Sequence, residues 1–386
     1  MFDNAEIPEL KEKVREATRG DKRLLDKLCA DVRSLKTLVR AIQPRSATAV
    51  SLVASDGGNN KIQFDPFLLQ IVRVVDSYGK RLCLDVVSPT TDTDALSARQ
   101  FNADGTPHTA LGRLMKDLNK TKLSDLSDAI PSGEEIRRDP ESIKPGWVLT
   151  YRDVCEWATL YDRICYQAFP TDTLLVRDGL LRSKFFAGNL FVEMASKIAQ
   201  KIDEIQKTER RQIFLVGFAK HSQVLDRYRL AIGLENLFSA GEPRYVPISR
   251  DIERQVYKWD EYARGLEALG QAGEEPKFVA GSMYLARFGT RSGDPIWPVD
   301  IFDPQKERHQ EVFGYLLHDS TVGFPIPHYP RCLQRAHEWA EIADFDAEIL
   351  QDEIFGSVRG LLPDNQKELL DAKQLESADV SGRRYG

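Results

Sequence analysis

The chain alternates between charge-rich amphipathic stretches and short apolar runs. Residues 7–42 carry apolar side chains at helical spacing among many charges, which predicts one or two amphipathic helices. Five apolar runs of strand length follow: Thr48–Ala54, Phe67–Val75, Arg81–Val87, Thr173–Arg177 and Gln212–Phe218. The turn residues Asp76-Ser77-Tyr78-Gly79 separate the second run from the third, so these two runs are predicted to form a β-hairpin.

Two long helical patterns separate the later runs. One helix is predicted from about Leu149 to Phe169 and another from about Asn189 to Gln206. The order is therefore three strands with a hairpin, then helix, strand, helix and strand. This connectivity is typical of a ribonuclease-H-like α/β core, a mixed five-stranded sheet flanked by helices, in which the first and fourth strands are neighbours.

The remaining segments suggest a division of the chain. We expect an N-terminal helical arm (1–45), a main domain (46–360) and a mobile polar tail (361–386). The arm either packs on its own domain or contacts a partner subunit. A polar loop insertion is expected at about 88–145, with one helix near Leu111–Leu118, and a mostly helical one at about 223–277. Residues 277–301 look strand-like, and a final long helix is predicted from about Pro330 to Phe355.

Composition narrows the class of protein. With 42% hydrophobic and 29% charged residues, the 386-residue chain resembles an ordinary globular protein. It has no apolar run long enough to span a bilayer and no secretory signal pattern, so we expect a cytoplasmic protein. Five scattered cysteines without a C-x-x-C pair argue against a disulfide framework or a zinc cage. The net charge of −6 counts against a DNA-coating protein, but less against a nuclease with an acidic metal site.

Two acids stand where predicted strands stop. Asp56 follows the first strand and precedes Gly57-Gly58, and Asp178 follows the fourth strand and precedes Gly179. In the predicted core these strand ends lie side by side. Two carboxylates that close need a cation or a proton, and Mg²⁺ or Mn²⁺ suits oxygen ligands. A pair of such ions about 4 Å apart can promote phosphodiester hydrolysis. The alternative is that each Asp-Gly pair is simply a turn.

A third acid is expected from the helix before the fourth strand. Glu156 borders the apolar face of that helix and is the preferred candidate. Asp153 falls nearer the centre of the same face and competes with it. Either residue could instead be an ordinary charge on the helix surface.

Two further residues complete the candidate site. His337 falls on the apolar stripe of the final helix, formed by Leu333, Ala336, Ala340 and Ala343, so it is predicted to point inward, as a core residue or as a metal ligand. Lys220 follows the fifth strand, at the same edge as the acids, and could hold a phosphate. It could equally be an ordinary exposed lysine.

Taken in order, these motifs resemble the NurA nuclease family. The matching pieces are Ser55-Asp56-Gly57-Gly58, Glu156, Val176-Arg177-Asp178-Gly179-Leu180-Leu181, Leu215-Val216-Gly217-Phe218-Ala219-Lys220-His221-Ser222 and Tyr329-Pro330-Arg331-Cys332-Leu333-Gln334-Arg335-Ala336-His337. The resemblance spans nearly the whole chain, although each motif is short. The insertion at 88–145 and the helical segment after Ser222 have no match in the family pattern.

The resemblance implies a function and a set of partners. Asp56, Glu156 and Asp178 would be metal-binding catalytic acids, His337 a further metal-site residue and Lys220 a phosphate contact. NurA-like proteins form homodimers, dock on the HerA hexameric DNA-translocating ATPase and digest DNA in a manganese-dependent way, as exonucleases and endonucleases. Such pairs serve in DNA end resection or in anti-phage defence.

We therefore expect a Mn²⁺- or Mg²⁺-dependent deoxyribonuclease that acts with a HerA-type ATPase. One competitor is a non-catalytic adaptor that only docks on the ATPase. Another is an actin-like phosphotransferase, since that class also places Asp-Gly at a strand end near phosphates. That class needs a duplicated core with a second glycine turn, for which Ala280-Gly281-Ser282 and Phe288-Gly289-Thr290 are the late candidates.

Overall fold

The computed structural model describes residues 6–45, 50–64, 67–257, 277–321, 323, 325–341, 344–364 and 366–367. Within these ranges the side chains of residues 50–64, 67–68, 344–348 and 350–351 are not described. Part of the second predicted insertion (258–276) and the tail from residue 368 onward lie outside the described residues.

One mixed sheet of nine strands joins all the strands in the described residues. The strands are β1 Arg40–Ala41, β2 Val50–Phe64, β3 Phe67–Asp76, β4 Arg81–Val87, β5 Asp172–Asp178, β6 Ile213–Phe218, β7 Arg244–Pro247, β8 Gly281–Arg287 and β9 Trp297–Phe302. Their order across the sheet is β1-β7-β8-β9-β6-β5-β2-β3-β4.

The five predicted strands form one contiguous part of this sheet, β4-β3-β2-β5-β6. The predicted hairpin is confirmed, because β3 and β4 pair antiparallel. The predicted contact between the first and fourth strands is also confirmed, since β2 pairs with β5 in parallel, as β5 does with β6. The expected count of five strands is wrong. Four antiparallel strands, β9, β8, β7 and β1, continue the sheet beyond β6.

Strand β2 does not stop at Asp56, which corrects the prediction of a strand end there. It continues through Gly57 and Gly58 to Phe64 and pairs antiparallel with β3 over that whole length. Its parallel pairing with β5 ends at Ser55. Asp56 therefore marks the point where β2 leaves β5, and the glycines are accommodated because β3 supplies the hydrogen-bonding partner.

The helices connect and cover these strands. They are α1 Glu6–Gly20, α2 Lys22–Leu35, α3 Thr93–Ala98, α4 Ala110–Asp117, α5 Gly133–Arg138, α6 Trp147–Tyr166, α7 Leu190–Glu209, α8 Gln223–Leu234, α9 Arg250–Val256, α10 His309–Ser320, α11 Arg331–Ala340 and α12 Asp344–Leu361. Both long predicted helices are confirmed as α6 and α7. The helix expected near Leu111–Leu118 is confirmed as α4.

The sheet has helices on both faces because its strands alternate apolar side chains between two cores. Along β6, Leu215 packs in the core under α4, α6 and α7, whereas Val216 packs in the core under α10 and α11. A third cluster under α2 and α8 covers β7 and β8, on the same face as α6. The first insertion adds to the α6 core rather than forming loose loops, since Leu96, Leu114 and Leu126 are fully buried there.

The N-terminal arm consists of two helices with different environments. Helix α2 buries Leu28, Cys29, Val32 and Leu35 against α8, so it packs on its own domain. Helix α1 has no buried residue, and its Leu10 and Val14 are exposed. Among the described residues of the arm, α1 is thus the helix that buries none of its side chains.

The predicted final helix is interrupted. Helix α11 ends at Ala340, Glu341 is extended, and α12 begins at Asp344. No helix within the described residues is both long and apolar enough to cross a membrane. The late glycine motifs do not build a second core in the described part of the chain: Gly281 begins β8 and packs against Asp300 and Leu181 within the one sheet.

Candidate metal and phosphate site

The parallel pairing of β2 with β5 ends one residue before the two candidate acids. Ser55 on β2 is paired with Arg177 on β5, and Asp56 and Asp178 are the next residues of the two strands. Neighbouring strands in a sheet lie about 4.8 Å apart, and paired residues point to the same face. The side chain of Asp56 is not among those described. The backbone arrangement is the one that a shared cation site at this end of the sheet requires.

Two glycines fix the loop that follows Asp178. Gly179 has a φ of +102°, which favours glycine, and its N–H donates a 2.7 Å hydrogen bond to the carbonyl of Phe218. This loop passes directly over Gly217 on β6. A Cβ atom on Gly217 would lie 2.6 Å from the Leu181 nitrogen and 2.7 Å from the Gly179 carbonyl oxygen. The close approach holds Asp178 at the edge of the sheet.

A tyrosine that the sequence analysis did not single out contacts Asp178. The Tyr329 hydroxyl donates a long, 3.5 Å hydrogen bond to Oδ1 of Asp178. Its ring is fully buried and packs edge-on against Phe218 and Trp297, with centroid distances of 5.3 and 5.1 Å. Tyr329 opens the last of the quoted motifs, just before Pro330. The sequence feature that could have identified Tyr329 is its place as the first residue of that motif, where it brings a hydroxyl group.

Lys220 lies on the same side of the sheet end. It follows β6, is half-buried, and its Nζ lies 5.4 Å from the centre of the Tyr329 ring. The next residue but one, Ser222, caps α8 by accepting a hydrogen bond from the Leu225 N–H. Lys220 is thus held between the end of a buried strand and the start of a helix, next to the residue that contacts Asp178.

Glu156 and Asp153 on α6 share one cation, Arg177. Its Nη2 lies 3.1 Å from Oε2 of Glu156 and 2.9 Å from Oδ1 of Asp153. Arg152 lies 3.4 Å from Glu156 as well, and Ser183 donates a 2.6 Å hydrogen bond to Asp153. Burial raises the pKa of Asp153, while the charge of Arg177 acts in the opposite direction.

Arg177 was not predicted to matter, although an arginine within an apolar strand was a visible signal. Its side chain is only 7% exposed, and its guanidinium stacks on Trp157 at 4.7 Å. Because side chains alternate along a strand, Arg177 faces α6, whereas Asp178 faces Tyr329. Arg177 therefore joins the two candidate acids of α6 to the strand that carries Asp178.

His337 on α11 does not point into the core as predicted. It is exposed, whereas Leu333, Ala336 and Ala340 on the same helix are buried. The expectation assumed a stripe that continued to Ala343, but α11 ends at Ala340. Among the described side chains, His, Cys, Asp and Glu form no group of three that could hold a metal ion. Asp56, whose side chain is not described, is outside that comparison.

Three comparisons with known proteins give one kind of match. No family model matches the chain, and no curated protein matches it. It is similar to a solved structure of the NurA nuclease from Sulfolobus solfataricus (11% identity, 92% of this chain and 98% of that chain, TM-score 0.38). It is also similar to NurA bound to dAMP and manganese (12%, 93% and 99%, TM-score 0.39) and to NurA with manganese (13%, 90% and 99%, TM-score 0.36).

These matches are to the family that the motifs resemble. At these values of identity and TM-score, no residue role, metal or substrate passes from those proteins to this chain. The function has to be inferred from its own residues.

Proposed function

We propose that this protein is a divalent-metal-dependent deoxyribonuclease that hydrolyses phosphodiester bonds at the edge of a ribonuclease-H-like core. The observation that carries the proposal is the β2–β5 register, in which Asp56 and Asp178 follow the paired residues Ser55 and Arg177. Most Asp-Gly pairs are surface turns. Here both belong to neighbouring strands at one end of the sheet, which is a reason to prefer the metal site.

The residues present fit a divalent ion. Two neighbouring carboxylates repel each other unless a cation or a proton lies between them, and hard oxygen ligands favour Mn²⁺ or Mg²⁺. Asp56 and Asp178 would hold the ion, with Glu156 and the exposed His337 as further ligands, and a two-metal arrangement is the form we favour. When bound, such ions would lower the pKa of a water molecule and place positive charge beside the phosphate.

The chain's own residues have separate parts in this proposal. Lys220 neutralises the phosphate of the backbone, and the Tyr329 hydroxyl keeps the Asp178 carboxylate in one orientation. Arg177 and Arg152 form ion pairs with Glu156, which hold its side chain near the end of the strand that carries Asp178.

The cellular role is part of the proposal and rests on the family resemblance alone. We propose that the protein acts as a homodimer with a HerA-type hexameric ATPase, in DNA end processing or anti-phage defence. The exposed helix α1 is the segment of the arm left available for such a contact.

The test is metal-dependent cleavage of labelled DNA by the wild-type protein and by three variants. Asp178→Asn and Asp56→Asn should lower cleavage by more than about 100-fold, because each removes a charged ligand. Asp172→Asn is the matched control. Asp172 starts the same strand, and its Oδ1 accepts a 2.8 Å hydrogen bond from the Gln212 N–H, which an asparagine can also accept.

Manganese is the first ion to add, since carboxylate oxygens are ligands that suit Mn²⁺. A chelator should abolish wild-type cleavage, and excess Mn²⁺ should restore it. A folded Asp178→Asn protein that cleaves as fast as Asp172→Asn would overturn the proposal. A wild-type protein that binds the ATPase but leaves DNA intact at saturating metal would establish the adaptor instead.

A further inference from the structure

Two thiols from distant parts of the chain lie together in the wall of a cavity. Cys83 belongs to β4, the strand at one edge of the sheet, and Cys155 belongs to α6. Both line a cavity of about 270 Å³, which lies away from the candidate metal and phosphate site. All five cysteines of the chain are free thiols. The sequence showed only scattered cysteines, because this pair forms when α6 packs on β4.

The periodicities of the two elements explain why these thiols meet. Residues four apart lie on one face of a helix, and residues two apart lie on one face of a strand. Tyr151 precedes Cys155 by four residues on α6, and Asp85 follows Cys83 by two on β4. The Tyr151 hydroxyl donates a 2.8 Å hydrogen bond to Oδ2 of Asp85. One helical turn further on, the Cys155 thiol donates a hydrogen bond to the sulfur of Cys83.

The two thiols differ in accessibility and in acidity. Cys155 is 2% exposed, and its hydrogen bond to Cys83, together with burial, raises its pKa well above the usual value. Cys83 is half-buried, and the same hydrogen bond lowers its pKa, although burial and the charge of Asp85 act in the opposite direction. Arg99 lies 3.7 Å from Asp85 and offsets part of that charge. Because the thiolate is the reactive form, Cys83 is the thiol that a reagent in the cavity attacks first.

The backbone of β4 can bring the two sulfur atoms closer together. Cys83 pairs with Val74 and Arg81 pairs with Val75, so Leu82 is an extra residue in a β-bulge directly before Cys83. In the described sheet β4 pairs with β3 alone, so a single row of backbone hydrogen bonds holds it. A disulfide needs its sulfur atoms about 2.05 Å apart, which is closer than a hydrogen bond allows. A bulged edge strand permits the small shift that this requires.

We propose that Cys83 and Cys155 are an oxidation site, which a hydroperoxide converts into a reversible disulfide. One water-sized molecule needs about 15 Å³, so the cavity admits hydrogen peroxide. The disulfide would cross-link the edge strand to α6, the helix that also carries Asp153 and Glu156. The inference does not depend on the proposed nuclease activity, and its tests require no DNA cleavage.

The reaction balances with one hydroperoxide for each pair of thiols. The Cys83 thiolate attacks one oxygen of hydrogen peroxide, the O–O bond breaks, and the released hydroxide takes up the proton of the Cys83 thiol as water. Cys83 is then a sulfenic acid. The Cys155 sulfur attacks the Cys83 sulfur, the S–O bond breaks, and the second hydroxide takes up the Cys155 proton. The two sulfurs together lose two electrons, and both oxygens leave as water.

Peptide mapping of the oxidised wild-type protein is the first test. The folded protein is treated with a small excess of hydrogen peroxide, free thiols are blocked with N-ethylmaleimide, and trypsin is added without a reducing agent. Trypsin releases peptides 82–99 and 153–163, each with one cysteine. We expect these two peptides to be joined, and dithiothreitol to separate them. Both peptides recovered as N-ethylmaleimide adducts from fully treated protein would overturn the inference.

Cys165 is the matched control thiol in the same experiment. It also lies on α6, it is half-buried, and it falls in a separate tryptic peptide, 164–177. Burial raises its pKa to about 12, and its interacting neighbours include Tyr161 and Asp117 rather than another cysteine. Cys83 should lose its free thiol at least about tenfold faster than Cys165. Equal rates would show unselective oxidation and overturn the inference.

Two variants test the order of the steps. In Cys155→Ser the oxidised Cys83 lacks a resolving thiol, so its sulfenic acid should persist and be labelled by dimedone. In Cys83→Ser the buried Cys155 should remain a thiol at the same peroxide concentration. Circular dichroism confirms that each variant is folded. Rapid oxidation of Cys155 in a folded Cys83→Ser protein would overturn the assignment of Cys83 as the first thiol to react.

The last control separates a bond within one chain from a bond between two chains. After oxidation the protein should run at the monomer mass on a non-reducing denaturing gel. Joined peptides found only in a band of twice that mass would show a cross-link between copies and overturn the inference.

Discussion

The Tyr329 hydroxyl lies 3.5 Å from Oδ1 of Asp178 and joins the segment before α11 to the end of β5. The contact spans 151 positions of the chain and brings together two motifs that the sequence shows only as separate pieces. It also places a neutral donor beside a carboxylate that we propose to bind metal.

Removing this hydroxyl should affect catalysis more than stability. Tyr329→Phe keeps the ring, which packs against Phe218 and Trp297, but it loses the donor to Asp178. We expect a cleavage rate about fivefold lower, equivalent to about 1 kcal/mol. Tyr284→Phe is the control, because Tyr284 is buried on the same face and donates to the Lys306 carbonyl instead. Equal rates in the two variants would contradict a role for Tyr329 in orienting Asp178.

The third acid can be identified by neutralising each candidate in turn. Glu156 and Asp153 share Arg177, so Glu156→Gln and Asp153→Asn remove a similar ion pair from the same helix. We expect Glu156→Gln to lower metal-dependent cleavage about 10- to 100-fold and to raise the Mn²⁺ concentration needed for half-maximal rate. Asp153→Asn should mainly lower the free energy of unfolding, by about 1–3 kcal/mol, because Asp153 also accepts from Ser183. If Asp153→Asn lowered cleavage and Glu156→Gln mainly lowered the free energy of unfolding, Asp153 would be the metal ligand.

The close approach of the loop after Asp178 to Gly217 predicts what one added methyl group at Gly217 would do. In Gly217→Ala the new Cβ would meet backbone atoms of Gly179, Leu180 and Leu181 within 2.8 Å. We expect a loss of about 1–3 kcal/mol in the free energy of unfolding, measured by urea denaturation, and lower cleavage because Asp178 moves. Gly356→Ala should instead gain up to about 1 kcal/mol, since it removes a glycine from an open helical position. An unchanged stability in Gly217→Ala would show that the loop can shift freely.

The two helices of the arm should respond differently to change. Deleting residues 1–20 removes α1, which buries nothing, so the free energy of unfolding should change by less than about 0.5 kcal/mol. Leu35→Ala in α2 should cost about 2–5 kcal/mol, because Leu35 is buried against the α8 layer. The mass of the truncated protein in solution then tests α1 as a dimer contact. If the mass and the binding to the ATPase are both unchanged, α1 is neither a dimer contact nor an ATPase contact.

The core of the sheet was predictable because its strands are long apolar runs. Strands β5 and β6 are buried on both faces, so each carries an unbroken apolar run, Leu174–Val176 in β5 and Ile213–Val216 in β6, and the long helices beside them have clear periodicity. The strands at the far edge carry no such signal. Strand β1 has two residues and β7 has four, and a segment that short forms only because a neighbouring strand supplies its partners.

The candidate site was predictable in its backbone and less so in its side chains. The adjacency of Asp56 and Asp178 follows from strand order alone. The sharing of Arg177 by two acids depends on the rotation of α6 about its axis, which residue spacing fixes only roughly. The prediction for the direction of His337 depended on where α11 ends. The helix stops at Ala340 although the sequence has no glycine or proline at Glu341 to indicate a break. Tyr329 approaches Asp178 only once the sheet has formed.

The pairing of Arg40 with Tyr245 has a consequence for synthesis on the ribosome. The N-terminal segment is made first, yet its strand partner and the α8 surface that covers Leu28 and Val32 are made only after more than half of the chain has been translated. The apolar side of α2 therefore stays uncovered until then. Pairing of β1 with β7 and packing of α2 on α8 are late, non-local steps of folding. Nascent chains shorter than about 250 residues, stalled before β7 leaves the exit tunnel, should consequently be those that chaperones retain longest.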